Sequence, residues 1–420
     1  MGLRLLNVDL TKINTIINSS DKIIPKEIAK KIKKSMTITN IYEVCHFLDI
    51  APKTVILKNK DAVISHENYQ NEENTIDLTN FSPDKKRFNS VELFAGAGGL
   101  LLGLEEAGFN TVAAIEIDKK ASETLRINRP EMKVIEKDIS EVVEEGIFNY
   151  IDKDIEIDLL SGGYPCQSFS YAGKKLGLED TRGTLFYWYA KILEELRPKV
   201  FIAENVRGLI SHDQGKTLHK MIEVFNEAGY DVTYKLLNAK NYGVAQKRER
   251  VFIIGIRKDI NTIDFKFPKP LEKKLVLRDV LTDVPESEGR KYPARKKEIM
   301  DMVPPGGCWR DLPIEIQKEY MKASFYLGGG KTGMARRLSW DEPSLTLTTA
   351  PDMKQTERCH PDETRPFTVR EYARIQSFPD DWEFFGSMTD AYKQIGNAVP
   401  VNLAKYVGLS VYKYLSTLEN

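Results

Sequence analysis

Cysteine is scarce in this chain: four in 420 residues, at positions 45, 166, 308 and 359. None stands in a C-x-x-C pair, which argues against a structural zinc site and a disulfide framework, so no metal centre is expected. Cys359 is followed by His360, but a lone Cys-His pair reads as ordinary surface chemistry rather than a ligand set. An excess of one charge is also missing. Lys+Arg and Asp+Glu both total 61, so net charge gives no pointer to a nucleic-acid partner. No apolar run is long enough to span a bilayer, no secretory leader is recognised, and no internal repeat stands out. These absences predict a cytoplasmic chain without membrane attachment, in a reducing setting where a free thiol persists.

What is present is organised in blocks. The length suggests one large domain with a smaller companion. Residues 1–60 hold eleven Lys+Arg against five Asp+Glu, and "PKEIAKKIKKSM" and "NIYEVCHFLDIA" repeat apolar residues at helical spacing. Residues 1–65 therefore read as a helical extension; a DNA-contacting helix pair and an auxiliary cap with solvated lysines both fit. The polar stretch 66–87 reads as a linker. From 88 to 265 strand and helix signals alternate, with strands expected at 90–95, 111–117, 133–136, 157–163, 199–205, 232–238 and 250–257. That pattern predicts an α/β doubly wound, mostly parallel seven-stranded sheet, its last two strands antiparallel. Residues 266–365, rich in Pro, Gly and charge, predict a smaller irregular domain. Residues 366–420 regain helical periodicity and are expected to return to the large domain.

Two stretches carry chemistry. "VELFAGAGGLLLGLEEAGF" runs strand, glycine turn, helix, and Gly96, Gly98 and Gly99 let backbone approach a ligand closely. It is not the dinucleotide fingerprint, because Leu101 stands where the third glycine would fall. Glu116 ends the second strand, where an acid grips ribose hydroxyls, and Asp138 ends the third, within reach of an adenine amino group. An adenosine ligand without a pyrophosphate fits best, which places S-adenosylmethionine ahead of a nicotinamide cofactor. The second stretch, "LLSGGYPCQSFSYAGKKLG", sets Cys166 on a glycine-rich loop just past a strand end, a position suited to a nucleophile.

Taken together, "FAGAGG", "GGYPCQSFS", "ENV" (204–206), "QKRER" (246–250), "RPFTVREYARIQSFP" and "YKQIGNAVP" resemble, in order, the blocks of the bacterial cytosine-C5 DNA methyltransferases of type II restriction–modification systems. The resemblance covers about 89–257 and 336–408 and implies a Rossmann-like, S-adenosylmethionine-dependent fold with a small target-recognition domain. It implies that Cys166 adds as thiolate to cytosine C6, making C5 nucleophilic. Glu204, its pKa raised by burial, would protonate N3. Arg250 would hold O2 and steady Glu204, while Arg248 would meet phosphate or the loop. Around the cofactor it implies Phe94 and Leu185 on either side of the adenine and Asn397 at the methionine end. Ala97, Ile139, Pro165 and Val399 would join Gly96, Gly98, Gly99, Glu116 and Asp138 there. Ile117 departs from the bulky aromatic that family members often carry against the adenosine.

The reacting base lies inside duplex DNA and must be flipped out. Residues 166–184 are expected to close over it, hinged at Gly173, Gly177 and Gly183, with Gln167, Ser168 and Ser170 reaching DNA and Lys174, Lys175 and Arg182 meeting phosphates. Sequence choice is expected within 266–365, where Arg336, Arg337 and the dipeptide Thr346-Leu347 are the candidates; a purely structural role for them also fits. The expected partner is double-stranded DNA, engaged by a monomer paired functionally with a restriction endonuclease without a stable complex. Bacterial cytoplasm, acting at the nucleoid, is the implied location. A tRNA cytosine-5 methyltransferase and a catalytically silent DNA-binding regulator are the alternatives.

Overall fold

The computed structural model describes residues 74–83, 88–164, 184–260, 263–326 and 332–419. The helical extension and the loop bearing Cys166 lie outside these residues. Thr75–Asn420 makes one compact unit.

Seven strands form its central sheet: β1 (Phe88–Leu93), β2 (Phe109–Ile115), β3 (Lys133–Ile135), β4 (Leu159–Gly162), β5 (Val200–Val206), β6 (Tyr230–Asn238) and β7 (Glu249–Arg257). Their spatial order is β3-β2-β1-β4-β5-β7-β6. Only β7 runs antiparallel to its neighbours, and it is inserted between β5 and β6. The runs in β4, β5 and β7 are apolar on both faces because helices cover both sides of the sheet. Where β5 and β7 lie side by side, the Phe201 ring covers Gly255 so closely that a Cβ there would stand 1.9 Å from it. The first strand ends two residues earlier than its sequence suggests. Phe94 takes a positive φ of 55°, which breaks the extended run.

Helices alternate with the strands, and polar side chains start most of them. Helix α1 (Gly99–Glu106) follows the left-handed Gly98. The carboxylates of Asp118 and Asp138 accept amide hydrogens at the starts of α2 (Lys119–Asn128) and α3 (Ile139–Glu145). Thr184 does the same for α4 (Leu185–Leu196), which is followed by α5 (Lys216–Glu227). Capping boxes open α6 (Val369–Ile375) and α7 (Met388–Asn397), and α8 (Val401–Thr417) closes the chain. Glycines set the contact of α8 on α1: a Cβ at Gly103 would meet the Val401 carbonyl at 2.4 Å, and one at Gly408 the Ala107 methyl at 2.7 Å.

Residues 266–365 carry short helices at Leu277–Val280, Ala294–Asp301 and Ile314–Met321 and their own apolar cluster, which includes Tyr292, Met300, Trp309, Met321 and Cys359. The strand Ser344–Leu345 pairs with Gln246–Lys247, just ahead of β7. Within 66–87, Thr75–Ile76 pairs with Phe267–Pro268 and Leu78 is buried in the main core. Among the described residues, Cys308 and Cys359 are free buried thiols, no acid, His and Cys cluster could hold a metal, and no helix is long and apolar enough to cross a membrane.

Candidate active site

The carboxyl ends of β1, β2, β4 and β5 meet at one edge of the sheet, as expected where an open α/β sheet binds ligands. At the end of β1, Phe94 adopts a left-handed backbone that costs a side-chain-bearing residue ~1–2 kcal/mol. Its ring meets Tyr164 edge-on at 6.4 Å between centroids. Gly96 also has positive φ, 55°, and no atom lies within 4 Å of where its Cβ would stand. That open space lies beside Glu116, whose carboxylate accepts the amides of Gly96 and Asp118, each at 2.7 Å. Burial raises the Glu116 pKa and those amides oppose the shift. The next residue, Ile117, is 61% exposed, a large apolar side chain left open to a flat ligand.

Other residues expected at the cofactor are packed inside. Ala97, Gly98 and Gly99 are buried; Trp382 donates to the Ala97 carbonyl, and the Val399 carbonyl stands 2.3 Å from where a Gly99 Cβ would be. Their backbones, not side chains, shape the turn, and buried Ile139 and Val399 likewise present no exposed side chain. Asp138 spends Oδ1 on the Ser140 amide and hydroxyl. Leu185 is half-buried at the first turn of α4, and Asn397 is exposed at the last residue of α7.

The acid and its partner come from β5 and β7. Glu204 sits opposite Phe252 and Val206 opposite Arg250, which makes Glu204 and Arg250 diagonal neighbours across the strand pair. The Nε of Arg250 lies 2.8 Å from Glu204 Oε1. That oxygen has no well-aligned donor, so the contact is an ion pair rather than a directed hydrogen bond. Burial raises the Glu204 pKa, and the guanidiniums of Arg250 and Arg248 pull the other way. The other carboxylate oxygen lies against Gly163: a Cβ there would stand 2.6 Å from Oε2. Next to Glu204, buried Asn205 donates from Nδ2 to the Tyr164 carbonyl at 2.9 Å and accepts the Val206 amide. It thereby ties the end of β5 to the chain two residues before Cys166.

Arg248 departs from its expected place at a phosphate or the loop. It is only 2% exposed and donates to the carbonyls of Leu347 at 3.0 Å and Gly396 at 2.9 Å. Residues 246–250 alternate between two faces, and Arg248 falls on the inner one with Gln246. Gln246 accepts the Leu347 amide and donates to Gln376, which donates to the carbonyls of Ile395 and Ala398. Sequence reasoning missed this glutamine pair, although the alternation around it was a usable signal. Two DNA expectations are corrected likewise. Arg337 is buried and its guanidinium is consumed by Met300, His360, Pro361 and Thr364, and Leu347 is a core side chain. Arg336 is half-buried, and Thr346 donates its hydroxyl to the Lys247 carbonyl beside an open cleft. Cys166, Pro165, Gln167, Ser168, Ser170, Lys174, Lys175 and Arg182 lie outside the described residues.

A family model, the C-5 cytosine-specific DNA methylase, matches residues 88–413. The chain belongs to this family. It is 57% identical over 385 residues to the type II methyltransferase M.Sau96I of Staphylococcus aureus, covering 90% of this chain and 88% of that protein. It is 57% identical to M.Eco47II of Escherichia coli, covering 80% and 83%. A solved DNA modification methyltransferase encoded within an E. coli prophage matches 78% of this chain and 99% of its own, at 26% identity and a TM-score of 0.57. Dnmt2 of S. pombe, at 18% identity and a TM-score of 0.51, shares the fold. This methyltransferase is thus a DNA (cytosine-5-)-methyltransferase of the restriction–modification type, with S-adenosylmethionine as methyl donor. The open Gly96 turn, Glu116 and the exposed Ile117 suit an adenosine group.

Proposed function

We propose that the enzyme methylates an extruded cytosine through a covalent bond between Cys166 and C6, with Glu204 as the acid at N3 and Arg250 as its positioner. The buried Glu204–Arg250 pair carries this reading. As the thiolate adds to C6, electron density moves onto N3 and calls for a proton there. A carboxyl whose pKa is raised by burial supplies that proton. Arg250 keeps the carboxyl in place through Nε and, with one terminal nitrogen on the Glu249 carbonyl, still has donors for the cytosine O2. S-adenosylmethionine, when bound, supplies an electrophilic methyl group to C5. The N3 proton then returns to Glu204, a base removes the C5 proton, the Cys166–C6 bond breaks with the thiolate leaving, and the aromatic ring returns. Gly96 and Glu116 would hold the adenosine end, with Phe94 and Leu185 against the adenine and Asn397 towards the methionine end. Loop residues Gln167, Ser168, Ser170, Lys174 and Lys175 meet the DNA on closure.

In this reading residues 266–365 select the sequence, the enzyme acts as a monomer, and it protects host DNA from a partner endonuclease. The test is incubation with methyl-labelled cofactor and duplex DNA or tRNA, followed by bisulfite mapping. Label at cytosine C5 in duplex DNA, lost in Cys166→Ser while cofactor binding persists, supports the mechanism. Full turnover by Cys166→Ser would refute the covalent step.

A further inference from the structure

An open cleft of about 420 Å³ lies beside the Glu204–Arg250 pair, lined by Val206, Arg207, Lys247, Glu249, Arg250 and Thr346 among others. Two cations stand on it, and the mechanism uses neither. Arg207 follows β5 directly, is 69% exposed along its side chain and pairs with Glu249 at 2.6 Å. Lys247 precedes β7, is 38% exposed and pairs with Glu342 at 3.0 Å. Thr346 fixes the Lys247 backbone by donating to its carbonyl at 2.8 Å. Each cation thus stands on backbone at the reaction centre while its head is held by an acid, half-buried in Glu249 and exposed in Glu342. Such pairs are weak and screened by salt, whereas a phosphate offers two or more charge-assisted bonds.

We propose that Arg207 and Lys247 are phosphate contacts for the DNA strand that carries the target cytosine, and that Glu249 and Glu342 hold them in the free enzyme. DNA entering the cleft exchanges carboxylate for phosphate at both positions. The freed acids then face the backbone as like charges, so DNA that does not seat fully in the cleft is disfavoured. This rests on the reading of Glu204 and Arg250 as the base site, but its test is binding alone and is independent of methyl transfer.

The measurement is the salt dependence of duplex affinity for the full chain, by fluorescence anisotropy with S-adenosylhomocysteine present, on DNA that the enzyme methylates. Arg207→Gln and Lys247→Gln are each expected to reduce the slope of log K against log salt by about 0.9, the contribution of one phosphate contact. Arg207→Lys keeps the charge and is expected to keep the slope. Glu249→Gln and Glu342→Gln should tighten binding severalfold at low salt without lowering the slope. Lys405→Gln on α8, which breaks an ion pair with Glu106 at the end of α1, is the control for charge removal elsewhere. Wild-type slopes in both Arg207→Gln and Lys247→Gln would overturn the proposal, while loss of methylation by Cys166→Ser with these slopes intact would concern only the chemistry.

Discussion

Replacing Arg248 by alanine removes the side chain that staples Leu347 to Gly396. Two hydrogen bonds, at 3.0 and 2.9 Å, come from a charged donor and end on backbone carbonyls. Bonds of that kind contribute ~1.5–3 kcal/mol each. Truncation also leaves buried carbonyls unpaired, at roughly 1–3 kcal/mol each. Against this, burial holds the guanidinium pKa well below its usual value, so losing the charge returns some desolvation energy. The expected net loss is about 3 kcal/mol, a large part of the ~5–15 kcal/mol that holds a domain together. Equilibrium denaturation followed by circular dichroism reads it as a lower midpoint at unchanged slope. Arg248→Lys keeps one of the directions and should lie between the two. An Arg248→Ala variant within about 0.5 kcal/mol of wild type would refute the staple and return Arg248 to the surface role that its sequence suggested.

Further substitutions probe the site itself. Gly163→Ala places a methyl 2.6 Å from Glu204 Oε2; kcat should fall at least ~tenfold with cofactor affinity nearly unchanged, and equal losses in both would refute this. Gly96→Ala adds a methyl to the open turn and strains a positive φ at ~1–2 kcal/mol, so calorimetry should show S-adenosylmethionine binding weakened about 5–30-fold. Glu92 is fully enclosed beside Ser161, and burial raises its pKa well above the ordinary value. Its contribution to stability is present below the unfolded carboxyl pKa and is lost as pH rises through the raised folded value. Glu92→Gln should therefore gain melting temperature over wild type as pH rises from the ordinary carboxyl range; a constant difference would refute the raised pKa.

Several parts of this molecule were legible from its residues alone. The seven strands were found within a few positions because apolar runs on both faces leave little alternative to a covered sheet. Glu204 and Arg250 were legible as a pair because their blocks matched a family pattern, and the antiparallel strand then brought them together. Arg248 was expected at a phosphate or the loop, and Arg337 at DNA or in a structural role; both are buried for one reason. Arginine in a sequence looks like surface charge, and only the packed structure reveals carbonyls turned inward to receive it. The pairing of Thr75–Ile76 with Phe267–Pro268 was equally hidden, since two residues of strand in a polar stretch carry no periodicity.

The reversed direction of β7 has a consequence for how the enzyme can be divided. Because β7 begins where β5 ends, Glu204 and Arg250 meet although more than forty residues of chain, including α5 and β6, separate them. That excursion leaves and returns at one edge of the sheet, and its outermost turn, His212–Gly215, is mostly exposed and contributes no buried residue. A cut in that turn would leave every strand whole and give two fragments, one carrying the acid and the other its arginine. Neither fragment alone would hold a complete centre, so reassembly of the pair could be read directly as recovered methylation.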